Sequence, residues 1–135
     1  MIQFFFEDVE PIEIDTRTTD WLTQLIIQEG KKAGKINYIF KSDEGLLKVN
    51  QDFLKHDYYT DVITFDYVKG KTISGDIFVS LPRISDNAKS HQKDFNSELH
   101  RVLAHGLLHL CGYKDKTSED QTEMRNKEDF YLHLF

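Results

Sequence analysis

Apolar positions along this chain recur with two different periods, and the switching between them divides it into elements. Residues 2–6 form a short apolar run, and after polar punctuation the pair Ile12 and Ile14 follows; together they predict an opening strand and its extension. Trp21, Leu22, Leu25 and Ile26, with Ile27 beside them, return at helical spacing. Thr18, Thr19 and Asp20 precede them as caps, since a short side-chain oxygen can accept from a free N–H of the first turn, and Gly30 and Gly34 close the helix. Residues 35–41 alternate as a strand. Ser42 then caps a helix carrying Leu46, Leu47, Val49 and Phe53, and acids in its first turn suit the positive end of the helix dipole.

Residues 60–68 are the clearest strand, with Ile63, Phe65 and Tyr67 facing one way and Val62 and Thr64 the other. Lys69, Gly70 and Lys71 can turn the chain into a second strand over 72–80, which predicts an antiparallel hairpin within a mixed sheet. Pro82 fits the start of a helix over 83–90, a further helix spans about 98–111, and Ser118 with Gln121 has capping-box spacing for a last one. Met124, Tyr131 and Phe135 would form its packing stripe. The pattern predicts one α+β domain over residues 1–135, a mixed sheet of about four strands packed with about five helices. No repeat, linker or low-complexity segment interrupts it.

Chemistry concentrates in residues 105–115. Two histidines four apart on a helix project from neighbouring turns of one face, about 6 Å apart along the axis. His105 and His109 can therefore converge on a single ion, and Gly112, free to adopt a left-handed turn, can swing Asp115 back as a third ligand. Two imidazoles and a carboxylate with an open fourth position suit a catalytic zinc-type site. Taken alone, the pair is equally compatible with two hydrogen-bonded rings beside a core; the extended run favours the metal. On a helical wheel Leu99, Val102, Leu103, Gly106 and Leu110 form the buried stripe, with Gly106 near its middle where another element can approach closely. Both histidines lie on one flank, at the border between core and cleft.

Asp61 and Asp76 are the other carboxylates to single out, because each falls in a strand where an unpaired charge would be costly. Either a structural role, accepting hydrogen bonds, or a catalytic one beside the metal is open to them. His56, His91, His100 and His133 match no ligand spacing, with His133 in reserve as a third ligand should the last helix fold across the site.

Composition narrows the setting. A chain of 135 residues is large enough to bury a core without disulfides, and the single cysteine, Cys111, cannot form an internal one. Cys111 is most simply a small buried hydrophobe. No apolar run approaches a membrane span, and residues 1–6 lack the basic start and long apolar stretch of a secretory signal, so a cytoplasmic protein with no membrane association is expected. The net charge of −6 lacks the electrostatic footprint of a non-specific RNA binder. Lys31, Lys32 and Lys35, then Lys69 and Lys71, make local basic clusters that still offer a route to RNA.

The 105–115 run resembles the H-G-x-L-H-L-x-G-Y-D-H signature of the YbeY family of metal-dependent endoribonucleases, which act in ribosomal RNA maturation and ribosome quality control. Residues 60–65 look like the family's T-D-V-L-S-F strand, Gly75, Asp76 and Ile77 resemble its G-D-I strand, and Val49 and Asn50 fall where it has L-N. The resemblance implies cleavage of single-stranded or ribosomal RNA, association with the small ribosomal subunit, and one zinc per chain held by His105, His109 and Asp115. It also raises the catalytic reading of Asp61 and Asp76. Two departures stand out. Asp115 replaces the family's third histidine and Lys114 its aspartate, which lowers the charge left on a bound ion and widens the choice toward Mn2+, Fe2+ or Ni2+. Leu54 stands where the family carries a phosphate-binding arginine; Arg83 or Arg101 would have to cover that role. A metallopeptidase is a rival on ligand spacing, weakened because Gly106 occupies the place of a peptidase's glutamate base. A ribosome-associated binding module with a structural metal is the other, kept open by Leu54.

Overall fold

The computed structural model describes residues 1–135. Nine elements follow in the order β1 (Ile2–Phe6), α1 (Thr16–Gln28), β2 (Lys32–Lys41), α2 (Asp43–Leu54), β3 (Val62–Asp66), β4 (Thr72–Ser80), α3 (Leu81–Ser90), α4 (Phe95–Leu110) and α5 (Ser118–His133). The strands form one sheet in the order β1-β2-β4-β3, parallel from β1 through β2 to β4, with β3 antiparallel to β4. This is the mixed sheet, with the hairpin at its edge, that the pattern predicts.

Strand alternation sorts the side chains onto two faces. Ile36, Tyr38 and Phe40 of β2 and Ile73, Ile77 and Val79 of β4 enter the main core with Leu22, Leu25 and Ile26 of α1 and Leu103 and Leu107 of α4. The other face is covered in part by α2, whose Leu46 and Val49 pack on Ile63, with Phe65 and Phe78 alongside. α4 comes close to the sheet at Gly106. A Cβ built there would stand 2.8 Å from Ile77 Cγ2, so the missing side chain sets how near the helix can lie.

Several boundaries depart from the pattern. Ile12 and Ile14 are not strand; they pack on the main core from an irregular segment. α1 starts earlier than Thr18, because Asp15 is its cap and accepts from Thr18 N at 2.9 Å. Gly30, at φ 76°, closes α1 alone, and Gly34 lies within β2. α4 likewise begins at Phe95 behind an Asp94 cap. Thr117, not Ser118, caps α5, and Gln121 makes no capping box: its Nε2 donates to Asp115 O at 3.1 Å. β3 ends at Asp66, leaving Tyr67 exposed. Phe135 lies beyond α5 yet packs edge-on against Trp21 at 5.2 Å. No helix is long and apolar enough to cross a membrane.

Candidate metal centre

The last two turns of α4 carry His105 and His109 on the flank that borders a cleft. α4 then stops at Cys111, and Gly112, at φ 109°, reverses the chain so that Asp115 returns to the two rings. Three atoms meet there. His109 Nε2 is 3.0 Å from His105 Nε2 and 3.2 Å from Asp115 Oδ2, and His105 Nε2 is 3.4 Å from the same oxygen. Four-coordinate zinc with bonds of about 2.0–2.1 Å requires its donors about 3.3–3.4 Å apart. The triangle fits that requirement, and this cluster could hold a metal ion.

The outer ring nitrogens explain why these donors stay together. His109 Nδ1 lies 2.9 Å from Tyr113 O, which can only accept, so Nδ1 carries a proton and Nε2 is the nitrogen left to offer a lone pair. His105 Nδ1 donates to Glu128 Oε2 at 2.7 Å, with the same consequence. Both rings therefore present Nε2, the nitrogen left free to ligate, toward the Asp115 carboxylate at one point, an arrangement that suits a cation. Glu128 comes from α5 with its side chain only 7% exposed, and Arg101 donates to its other oxygen at 2.7 Å. Burial pushes the Glu128 carboxyl pKa upward, but bonds and charge from His105 and Arg101 outweigh it and hold it below its usual range. For His105, burial lowers the ring's pKa, and Glu128, with Asp61 and Asp115 adding, raises it overall.

The cleft, about 570 Å³, is lined by Asp61, His105, Asp115 and Glu128, with Lys93 and Arg125 among its cations. Asp61 thus shares the cleft with the cluster. Asp76 does not: it pairs across the sheet with Phe65, on the α2 face away from α4, and accepts from Asn37 Nδ2 at 3.0 Å. His133 is exposed at the far end of α5 and lies outside the cluster, while Cys111 packs against the core with burial pushing its thiol up to about 11.

A family model described as Endoribonuclease YbeY matches residues 5–135. The chain belongs to the YbeY family. Its relative in Flavobacterium johnsoniae, named Endoribonuclease YbeY, is 51% identical over 135 residues, covering 100% of this chain and 97% of that one. One of the same name in Cytophaga hutchinsonii is 52% identical, covering 97% and 94%. The solution structure of TM1509 from Thermotoga maritima superposes with a TM-score of 0.67 at 26% identity, covering 98% of this chain and 87% of that one.

Neither arginine considered as a replacement at Leu54 is free. Arg83 binds Asp43 through Nη2 at 2.6 Å and Nε at 3.3 Å, and Arg101 is shared between Glu128 and Asp129. Lys93 and Arg125 line the cleft instead, neither in an ion pair. Sequence reasoning missed Glu128 and the Tyr113 carbonyl. A signal for Glu128 exists: it stands between Met124 and Tyr131, at i+4 and i+7, on a stripe that must be buried.

Proposed function

We propose that this protein is an endoribonuclease that hydrolyses single-stranded RNA, acts in the cytoplasm on ribosomal RNA at the small subunit, and uses one divalent ion held by His105, His109 and Asp115. The observation that carries the metal is the triangle of donors at 3.0–3.4 Å whose outer nitrogens are committed to Glu128 and Tyr113. Zinc suits two imidazoles and a carboxylate, and the hard ligand admits Mn2+, Fe2+ or Ni2+. When bound, such an ion supplies Lewis acidity and positive charge for attack of water on a phosphodiester.

The chain's own groups do the rest. Asp61, on the cleft wall beside His105, is the carboxylate suited to orient water and hold its proton. Asp76, on the other face of the sheet, takes the structural role of joining β4 to β2. Lys93 and Arg125 are the cations available to RNA phosphates, in place of the family arginine replaced by Leu54. A peptidase is disfavoured because Gly106, directly after the first histidine, cannot move a proton.

The test compares zinc-loaded wild type with His109→Ala from identical preparations on single-stranded RNA, duplex RNA and casein. Wild type should cut only the single strand, lose activity to a chelator, and slow as salt rises. Equal RNA cleavage by the two proteins would remove the nuclease reading in favour of a binding module, and metal-dependent casein cleavage would favour the peptidase.

A further inference from the structure

Glu29 occupies an unfavourable position for an acid. It caps the C-terminus of α1, the negative end of the helix dipole, and its side chain is only 9% exposed. α1 does not need it there, since Gly30 N donates to Ile27 O and Lys31 N to Ile26 O, which closes the helix end with backbone alone. The carboxylate instead collects three donors from other elements: Tyr113 Oη at 2.6 Å, Lys127 Nζ at 3.2 Å and the Tyr131 hydroxyl.

Of these, Tyr113 leads to the metal centre. Its hydroxyl is tied to Glu29, Lys127 Nζ lies 5.4 Å from its ring centroid, and its carbonyl accepts from His109 Nδ1 at 2.9 Å. A single residue is therefore pinned at its tip by Glu29 and, through its backbone, fixes which nitrogen of His109 carries the proton. It also lies in the turn between Gly112 and Asp115, so its position bears on where the third ligand falls. Tyr131 and Lys127, on α5, reach the same carboxylate, and Lys127 also lies over the Tyr113 ring, but neither bonds to His109.

We propose that Glu29 is a positioning residue for the metal centre, acting through the Tyr113 hydroxyl to hold the Tyr113 carbonyl against His109 Nδ1. The inference rests on the metal reading above. It concerns a contact between the end of α1 and the turn after α4, 84 residues apart in sequence. The outer partners of metal ligands typically change metal affinity about 10–100-fold when removed. Glu29 stands one step further out, behind Tyr113, so the effect belongs at the lower end of that range.

The test measures zinc affinity by competition with a chromophoric chelator, beside thermal unfolding of the metal-free protein. Glu29→Ala and Tyr113→Phe should each weaken zinc binding about tenfold, and the double variant no more than either single one, because both cut the same path. Glu29→Gln should recover most of the affinity, because the Tyr113 hydroxyl both donates and accepts and so can bond either end of the amide. Tyr131→Phe removes a different donor to the same carboxylate; it should lower the unfolding midpoint and leave zinc affinity within about twofold of wild type. If Glu29→Ala does not fold, Tyr113→Phe against Tyr131→Phe carries the comparison. Wild-type affinity in Tyr113→Phe, or equal losses in Tyr113→Phe and Tyr131→Phe, would overturn the proposal by reducing Glu29 to a structural anchor. A wild type that binds no zinc would instead overturn the metal reading, and this inference with it.

Discussion

Replacing Glu128 by glutamine keeps the shape of the side chain and removes one of its two acceptor sites. The carboxylate accepts from Arg101 Nη1 through one oxygen and from His105 Nδ1 through the other, each at 2.7 Å. An amide has one oxygen. With that oxygen turned to the permanently charged Arg101, the NH2 faces His105, and donor meets donor. The ring can escape only by moving its proton to Nε2, which removes the lone pair from the cluster with His109 and Asp115. Losing one hydrogen bond to a charged group costs about 1.5–3 kcal/mol. At 1.36 kcal/mol per tenfold, that is about 10- to 100-fold in metal affinity, within the range for outer partners of metal ligands. Arg101 keeps Asp129 at 2.7 Å, so the fold should survive with an unfolding midpoint lowered by a few degrees. Zinc titration in competition with a chelator gives the affinity, and circular dichroism the midpoint. An affinity within twofold of wild type, in a variant that is folded, would refute the argument that Glu128 sets the tautomer of His105.

Asp115→Ala should weaken metal binding, whereas Asp115→His should preserve or strengthen it, as read by equilibrium dialysis; normal affinity in the alanine variant would remove Asp115 from the ligand set. The Cys111 thiol, pushed up to about 11 by burial, should be alkylated by iodoacetamide only slowly at pH 8, the rate rising about tenfold per pH unit until near pH 10 and jumping when urea unfolds the chain. Glu29 gives an acid-side prediction. Although burial pushes its carboxyl upward, Tyr113, Tyr131 and Lys127 hold it below the ordinary value of 4.5, so its stabilisation is complete above pH 4.5 and is lost as pH falls through the lowered folded value. Glu29→Gln should flatten that limb of a urea-stability profile, and an unchanged limb would assign the acid sensitivity to other groups. Gly106→Ala gains about 1 kcal/mol of helix propensity but presses a methyl group 2.8 Å from the buried Ile77 Cγ2, a strain of about 1–3 kcal/mol, so chemical denaturation should show a net loss of up to about 2 kcal/mol.

Elements whose signal is local were legible in the sequence, and those decided by distant packing were not. Ser42 and Pro82 mark real starts because a cap and a fixed φ act within one turn. Hydrophobic alternation likewise fixed both strands of the β3-β4 hairpin, since each buries one set of side chains under α4 and the other toward α2. The misplaced helix starts share a cause: several polar residues in a row could each cap. Thr18 and Asp20 cap as well as Asp15 in isolation, but Thr18 is buried against α4's side of the core, which forces the helix to begin earlier. Ile12 and Ile14 have strand spacing, yet β1 already holds the only edge beside β2, so the pair covers the core without joining the ladder.

At the site, the three residues that meet were visible because i, i+4 spacing and a glycine-ended helix constrain where side chains go. Asp61 and Asp76 could not be told apart by residue type, but alternation held the answer for one of them. Ile77 and Val79 are apolar and bury against α4, so Asp76, one position away, must face the opposite side. Asp61 lies just before β3, outside that alternation, and only the fold brings it to the cleft. The groups behind the ligands carry a different kind of signal, which is misplacement. Glu128 interrupts a buried stripe, and Glu29 sits at the wrong end of a helix dipole. A buried carboxylate is costly unless several donors converge on it. In both cases the donors come from other elements; for Glu128 one donor is the His105 imidazole itself, and for Glu29 one donor, Tyr113, leads in a single step to His109. An acid where the local pattern disfavours one is thus a sequence-level pointer to the shell that aims the ligands, though it names neither the element that supplies the donors nor the ring that is served.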